Sequence, residues 1–388
     1  MAHRIHIAVF GVGLGHAARM SLVADMLRNH GEAVNFSSFY YAVEYLRKKG
    51  FNCDRVAPMD IGWREGGVSA KGTFRHIPTF FSNFAQQVRQ EGRIIDRFQP
   101  DLVISDSRLS AVVAAYLAGI PSVTVSNQLR ILLPPKYHPT SLSKVERIDA
   151  ELLGLFWSRS RLILVPDLPP PYTISERNTR EGVTVKGRVR YVGFMTPVPK
   201  VGAERIHKVS NMLEMDGGKH VVFTQISGPP ETTDRMMEAA LEAAEALSDR
   251  FTFVISKGEV GGDEEPRRIR GGWVFEWCPV KDELFFIADL LVVRGGHSSL
   301  SQAIRYGKPL VAVPIRNHSE QVMNTRKVVD MGLGLSVDSS MVTGRSLASA
   351  VENVSGDASF REKAREVGEV ARKLNGVKNT VDIVKSLL

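Results

Sequence analysis

Two glycine-rich junctions in this 388-residue chain carry the residue types that could do chemistry. The first, Gly11-Val12-Gly13-Leu14-Gly15-His16, follows the apolar run His6–Phe10. Glycines let the backbone turn tightly and approach a ligand. A histidine placed directly after them is a candidate proton acceptor. A carboxylate would orient it, and Asp106 closes the apolar run Asp101–Ser105 further along the chain. Asp106 has two readings here: it fixes the tautomer of His16, or it caps the helix that follows.

The second junction is Arg294-Gly295-Gly296-His297-Ser298-Ser299, between an apolar run and a helical pattern. Helix N-terminal N–H groups, two glycines and two hydroxyls make a phosphate cradle, to which Arg294 could add a charge-assisted contact. His318-Ser319-Glu320-Gln321 follows the next strand pattern, and Trp277-Cys278-Pro279 precedes the cradle with an indole able to stack on a flat base. Three such elements at successive strand ends point to a nucleotide diphosphate. The first junction reads GxGxGH rather than GxGxxG, and no ribose-binding acid follows the second strand, which disfavours a nicotinamide or flavin site. The chain has no GxxxxGK[ST], which disfavours a P-loop.

These junctions need strands and helices to hold them. Runs at His6–Phe10, Ala33–Ser37, Asp101–Ser105 and Pro121–Val125 alternate with helical patterns at Ala17–Asn29, Tyr40–Lys49 and Ser110–Leu117. The alternation restarts with strands at His220–Gln225, Phe251–Ser256, Asp289–Arg294 and Pro309–Pro314, and helices at Thr233–Leu247, Asp282–Ala288 and Ser299–Tyr306. Repeated βα units predict parallel sheets covered on both faces, with ligands beyond the carboxyl ends of the strands. The fold class is therefore α/β, with two doubly wound Rossmann-like domains facing across a cleft. The Pro/Gly-containing stretch Thr196–Gly202 is the expected linker. It gives an N-terminal domain over 1–198 and a C-terminal domain over 199–388, ending in a C-terminal helix.

Composition narrows the partners. Hydrophobic residues make up 43% and charged residues 24%, as in ordinary globular chains. The net charge of +8 is unevenly placed. Residues 1–198 hold 25 basic and 16 acidic side chains, and residues 199–388 hold 25 and 26. The two cysteines, Cys53 and Cys278, form no CxxC pair, so neither a disulfide framework nor a cysteine metal site is expected. No apolar run approaches a membrane span, and the opening MAHRIHIAVFGVG does not read as a signal peptide. The expected location is cytoplasmic, at most on the cytoplasmic face of a membrane.

Trp277-Cys278-Pro279, the Arg294–Ser299 cradle and Glu320-Gln321-Val322-Met323-Asn324 resemble, in order and spacing, the donor-site region of GT-B glycosyltransferases. The likeness is to the UDP-glycosyltransferases and to the N-acetylglucosaminyltransferase of the peptidoglycan lipid precursor. The Gly-x-Gly-His at Gly13–His16 and Val103-Ile104-Ser105-Asp106 extend the resemblance over most of the chain. It implies that Trp277 stacks on the nucleobase while Cys278 offers backbone groups to its edge. Gly295, Gly296, His297, Ser298 and Ser299, with the loop at Ser227-Gly228, would then hold the donor. Glu320 and Gln321 would bind donor-sugar hydroxyls. His16 would be the general base, oriented by Asp106, in an inverting displacement that uses no metal or other cofactor. Four positions depart from the pattern. Gln302 stands where a glutamate grips the ribose hydroxyls, Val280 replaces a glutamine, Arg294 stands where a histidine is usual, although the lipid-precursor branch also carries arginine there, and Arg19 stands where a proline is usual. Gly13, Gly15 and Arg19 fall on the acceptor side of the first loop.

The excess charge of the first half suggests an anionic or lipid-linked acceptor and possible contact with a membrane surface. Residues 71–97 place Phe80, Phe81 and Phe84 within about a helical turn of one another and repeat Arg89, Arg93 and Arg97 every four residues. That stretch reads either as an interfacial surface or as core phenylalanines beside a solvated face. Ile131-Leu132-Leu133-Pro134-Pro135-Lys136 is a second, weaker candidate. The leading expectation is a transferase moving a sugar from a nucleotide-sugar, a UDP-sugar foremost, to a hydroxyl of a lipid-linked or membrane-borne acceptor. A nucleotide-sugar 2-epimerase of the same architecture is the alternative, and a non-catalytic binding module stands third. No arginine-rich tract with interleaved aromatics supports nucleic acid as a partner.

Overall fold

A computed structural model describes residues 2–59, 63–64, 67–68, 77–132, 140–197, 202–215, 218–226, 228, 232–259 and 261–388. The chain divides into two compact units. One comprises Met1–Gly62, Ser69–Thr196 and Leu374–Leu388; the other comprises Trp63–Val68 and Pro197–Lys373.

The first unit is built on a seven-stranded parallel sheet. Its strands are β1 (Arg4–Val9), β2 (Ala33–Ser38), β3 (Cys53–Arg55), β6 (Leu102–Asp106), β7 (Ser122–Val125), β8 (Leu162–Val165) and β9 (Val189–Tyr191). They run in the order β3-β2-β1-β6-β7-β8-β9. Between β3 and β6 in sequence, Trp63–Arg64 (β4) and Gly67–Val68 (β5) pair as a short antiparallel ribbon. Helices α1 (Gly15–Asn29), α2 (Tyr41–Lys48), α3 (Ile77–Phe98), α4 (Leu109–Leu117) and α5 (Thr140–Trp157) complete the βα repeat. Ile5, Ile7 and Val9 of β1 and Leu102 and Ile104 of β6 have no solvent exposure, as central strands covered on both faces require.

The chain order reverses between β1 and β6, so their carboxyl ends open onto the switch point where ligands of such sheets bind. The register pairs Val9 with Asp106, which makes Asp106 the last residue of β6 rather than a residue beyond the strand. A buried polar cluster fixes the chain just after it. Glu91 on α3 ion-pairs with Arg108 at 2.6 Å and hydrogen-bonds His6 at 2.8 Å, and Arg108 also donates to Ser37 Oγ at 2.9 Å. Burial alone would raise the Glu91 carboxyl, but Arg108 and then His6 hold it at about 2.

The second unit repeats the plan with β10 (His220–Gln225), β11 (Phe251–Ser256), β12 (Arg267–Ile269), β13 (Gly272–Phe275), β14 (Leu290–Val293), β15 (Leu310–Ala312) and β16 (Gly334–Ser336). The order is β12-β13-β11-β10-β14-β15-β16, and only the β12–β13 pairing is antiparallel. Its switch point lies between β10 and β14. Helices α6 (Ala203–Met212), α7 (Asp234–Ala246), α8 (Lys281–Ile287), α9 (His297–Tyr306), α10 (Ser319–Asp330), α11 (Gly344–Gly356) and α12 (Ala358–Lys373) belong to this unit.

The last helix, α13 (Gly376–Ser386), differs from expectation. The sequence places it with the C-terminal domain, but Val377, Val381 and Val384 are buried in the first unit's core beside Met20, Ala24 and Leu27 of α1. Its apolar positions recur at i, i+4 and i+7, and the stripe they form covers α1. Asn379 Nδ2 also donates to Val192 O at 2.8 Å.

Candidate active site

In the first unit, Gly13 takes a left-handed φ of 74°, and α1 begins two residues later. His16 is thereby set on the first turn of α1, facing the end of β6. Its Nδ1 lies 2.8 Å from Asp106 Oδ1. Arg19, one turn on, donates from Nε to Asp106 Oδ2 at 2.6 Å and from its terminal nitrogen to Oδ1. The other terminal nitrogen donates to Asn127 Oδ1 at 3.2 Å.

Asp106 has no solvent exposure. Burial alone would raise its carboxyl, but Arg19 and then His16 hold it at about 2, so it is an anion at neutral pH. An anionic carboxylate only accepts, so the contact with Asp106 suits the Nδ1–H form of the His16 ring, and a terminal nitrogen of Arg19 lies 3.0 Å from the same Nδ1. The imidazole side chain is 24% exposed, enough to meet a substrate, and Phe10 braces it edge-on at 5.7 Å. No side chain caps α4, so of the two readings of Asp106 the structure supports contact with His16.

In the second unit, Arg294-Gly295-Gly296 leaves β14 at the switch point and α9 begins at His297. Gly295 is packed so closely on α10 that a Cβ there would lie 2.4 Å from both Gln321 O and Thr325 Oγ1. The cradle therefore needs glycine at that position. Gln321 Oε1 accepts from Ile315 N at 2.9 Å, and Asn324 Nδ2 donates to Gly295 O at 3.4 Å. Ser299 Oγ donates to Gln225 Oε1 at 3.3 Å, joining the start of α9 to the end of β10. Gly228 lies just beyond β10 against Thr232, while Ser227 falls outside the described residues. His297 is buried as the first residue of α9, Ser298 is partly exposed, and Glu320 Oε1 accepts from Asn324 Nδ2 at 3.4 Å.

Arg294 departs from expectation. It is 2% exposed and donates to Met236 Sδ at 3.0 Å and Thr232 O at 3.2 Å, so it contributes its charge to the cradle from within the fold. No carboxylate lies within ion-pair distance among the described residues, its Nε has no hydrogen-bond partner, and burial pushes the guanidinium down to about 10. Its charge acts at the same sheet edge as the carboxylate of Glu320, since both bear on His318.

Trp277 is partly exposed after β13, with its backbone N–H donating to Asp263 O at 3.0 Å, and Cys278 is buried with its thiol pushed up to about 12 by that burial. Gln302 is 5% exposed and its Nε2 donates to Asp282 Oδ1 at 2.7 Å. A carboxylate is therefore present beside the uncharged Gln302, twenty residues away in sequence and brought there by the fold. Arg19 is 5% exposed and turned inward onto Asp106. Its spacing of three from His16 on a helix was the available signal; Asn127 and Thr232 carried none.

Among the described residues, no group of three or more His, Cys, Asp or Glu side chains is arranged to hold a metal ion. Of the segment 71–97, residues 71–76 lie outside the described residues, as do the side chains of 77, 78 and 80. The rest of the segment is helical in α3, with Phe81, Arg89 and Arg93 exposed.

Residues 3–153 match the model of glycosyl transferase family 1, and residues 232–380 match that of the glycosyltransferase family 28 C-terminal domain. An uncharacterized glycosyltransferase of Methanosarcina acetivorans is 22% identical over 97% of this chain and 96% of its own length. The UDP-N-acetylglucosamine–N-acetylmuramyl-(pentapeptide) pyrophosphoryl-undecaprenol N-acetylglucosamine transferase of a Nocardioides species is 30% identical over 93% of this chain and 91% of its own. The structure of the Streptomyces glycosyltransferase SsfS6 complexed with thymidine diphosphate aligns over 99% of both chains with a TM-score of 0.68 and 17% identity.

Proposed function

The chain belongs to the GT-B glycosyltransferases, and on that premise we propose that it moves a sugar from a UDP-sugar to a hydroxyl of a lipid-linked or membrane-borne acceptor with inversion at the anomeric carbon. The observation that carries the reading is the partly exposed imidazole of His16, whose Nδ1 lies 2.8 Å from the buried anionic Asp106.

In this reaction Nε2 takes the proton of the acceptor hydroxyl as its oxygen attacks the anomeric carbon. The bond from that carbon to the diphosphate oxygen breaks, and the electron pair leaves with the nucleoside diphosphate. Asp106 stabilises the imidazolium that forms and keeps the ring oriented. Arg19 holds Asp106 in place and keeps it ionised. The leaving diphosphate is received by the N–H groups at the start of α9, the glycine pair and the field of Arg294. Trp277 stacks on the base. Asp282, held by Gln302, offers a charged acceptor to the two ribose hydroxyls, which favours a ribonucleotide over its deoxy counterpart. Glu320 and Gln321 bind sugar hydroxyls. The reaction uses no metal or resident cofactor.

The relative from Nocardioides, whose name specifies a UDP-sugar and an undecaprenol-linked acceptor, supports both halves of the reading. The excess of basic residues in 1–198 supports an anionic acceptor. A thermal-shift and hydrolysis screen over UDP-, GDP- and dTDP-sugars tests the donor, since a ligand that binds the folded state raises its melting temperature by mass action. Stabilisation by UDP-sugars above the others is the expected result; indifference to every nucleotide-sugar contradicts it.

A further inference from the structure

Among the described residues, one helix of the first unit carries four exposed large apolar side chains. On α5, Ile148, Leu152, Leu155 and Phe156 are 61%, 56%, 54% and 45% exposed. Their spacing of i, i+4, i+7 and i+8 places them in one stripe. Ile131 extends it, because this exposed residue donates its backbone N–H to Asp149 on the same helix at 2.7 Å. The opposite face of α5 is already occupied. Ala150 and Trp157 are buried, and Gly154 lies so close to Thr184 that a Cβ would sit 2.0 Å from its Oγ1.

The charges along this helix are sorted as well. Asp149 accepts from Ile131, Glu151 accepts from the backbone N–H groups of Val183 and Thr184, and Glu146 is buried within 4.0 Å of Arg177. Among the described side chains of α5 and its exit, the exposed charges are arginines: Arg147, Arg159 and Arg161. Arg159 spreads over the ring of exposed Tyr116 at 4.6 Å. An apolar stripe edged by cations, with its acids turned onto backbone N–H groups, matches the interface of an anionic bilayer.

We propose that α5 is the face by which this protein lies on an anionic phospholipid surface, with the apolar stripe at the acyl boundary and the arginines among the phosphates. The proposal rests on the membrane-borne acceptor inferred above. A second copy of the chain fits the stripe less well, because two-fold packing would set the arginine fringe against itself while Asp149 and Glu151 already accept from backbone N–H groups. The helix α3, a candidate on sequence, is the poorer match. There Arg97 is engaged by Asp54 at 2.6 Å, and Phe81 is the one large apolar side chain prominently exposed among the described residues.

The test is co-sedimentation of the full chain with phosphatidylcholine vesicles, with and without phosphatidylglycerol, at low and high salt. Binding to the anionic vesicles that weakens with salt is expected. Leu152→Gln/Leu155→Gln should reduce that binding roughly tenfold or more, with melting temperature and solution hydrolysis of the nucleotide-sugar unchanged. The triple variant Arg89→Ala/Arg93→Ala/Arg97→Ala should still bind.

Three results overturn the proposal: absence of wild-type binding to anionic vesicles, undiminished binding by the double glutamine variant, or an oligomer in sedimentation that this variant dissociates. Failure of the wild type to turn over any nucleotide-sugar would instead refute the transferase reading and leave the vesicle result standing.

Discussion

Replacing Asp106 with Asn keeps the shape of the side chain but removes the charge that Arg19 and His16 share. In the folded chain the Asp106 carboxyl is held at about 2 against an ordinary 3.8, a difference of roughly 2 kcal/mol in favour of the native state. Arg19, 5% exposed, is then left without its anion, and breaking a buried pair from one side typically costs about 3–5 kcal/mol in all. For a unit of this size that lowers the melting temperature by roughly 10 °C. Because the native carboxyl lies below its unfolded value, its stabilisation is complete above about pH 5 and is lost as pH falls toward 2. The gap between wild type and Asp106→Asn should therefore be full at pH 7 and shrink progressively in acid. Glu91, also held at about 2, is common to both proteins and cancels.

Removing the guanidinium as well, in Arg19→Met/Asp106→Asn, should recover much of the loss, with a coupling of about 2–3 kcal/mol. Urea denaturation of the four proteins of the cycle at pH 7 and at pH 4 gives these numbers. An Asp106→Asn variant within about 1 kcal/mol of wild type at pH 7, or strictly additive losses, would refute the reasoning.

His16→Ala should lower turnover by about a hundredfold or more while nucleotide-sugar affinity stays within about twofold, read by steady-state kinetics and calorimetry. Arg294→Met should leave the ligand-free protein as stable as wild type or more so, since the buried cation has no carboxylate among the described residues, yet weaken UDP binding about tenfold or more; thermal shift with and without UDP measures both. Gly295→Ala should destabilise the second unit by about 1–3 kcal/mol and reduce nucleotide affinity, because its Cβ would lie 2.4 Å from Gln321 O; equilibrium unfolding with a UDP titration checks it. Asp282→Asn should narrow the preference for uridine diphosphate over its 2′-deoxy counterpart, measured by competitive binding.

The sheets were legible in the sequence because buried parallel strands are uninterrupted apolar runs. His220–Gln225 and Phe251–Ser256 match the observed β10 and β11 residue for residue. The partnership of His16 with Asp106 was readable because both follow or end such runs on the same sheet edge. The roles of Arg19 and Arg294 were not, since each is decided by side chains distant in sequence: Asp106 and Asn127 for one, Thr232 and Met236 for the other. The membership of α13 was equally hidden. Its amphipathic stripe shows that it covers a core, but only packing against α1 decides which one.

The central claim is that the chain carries out sugar transfer with His16 as base. It is tested most directly by incubating wild type and His16→Ala with a UDP-sugar and anionic lipid-linked acceptors, and following UDP release, glycosylated product and its anomeric configuration together. The account predicts that wild type releases one UDP per product formed, with the anomeric centre inverted, and that His16→Ala binds the donor but forms product at about a hundredth of the rate or less. Interconversion of the nucleotide-sugar without UDP release, or undiminished transfer by His16→Ala, would contradict it.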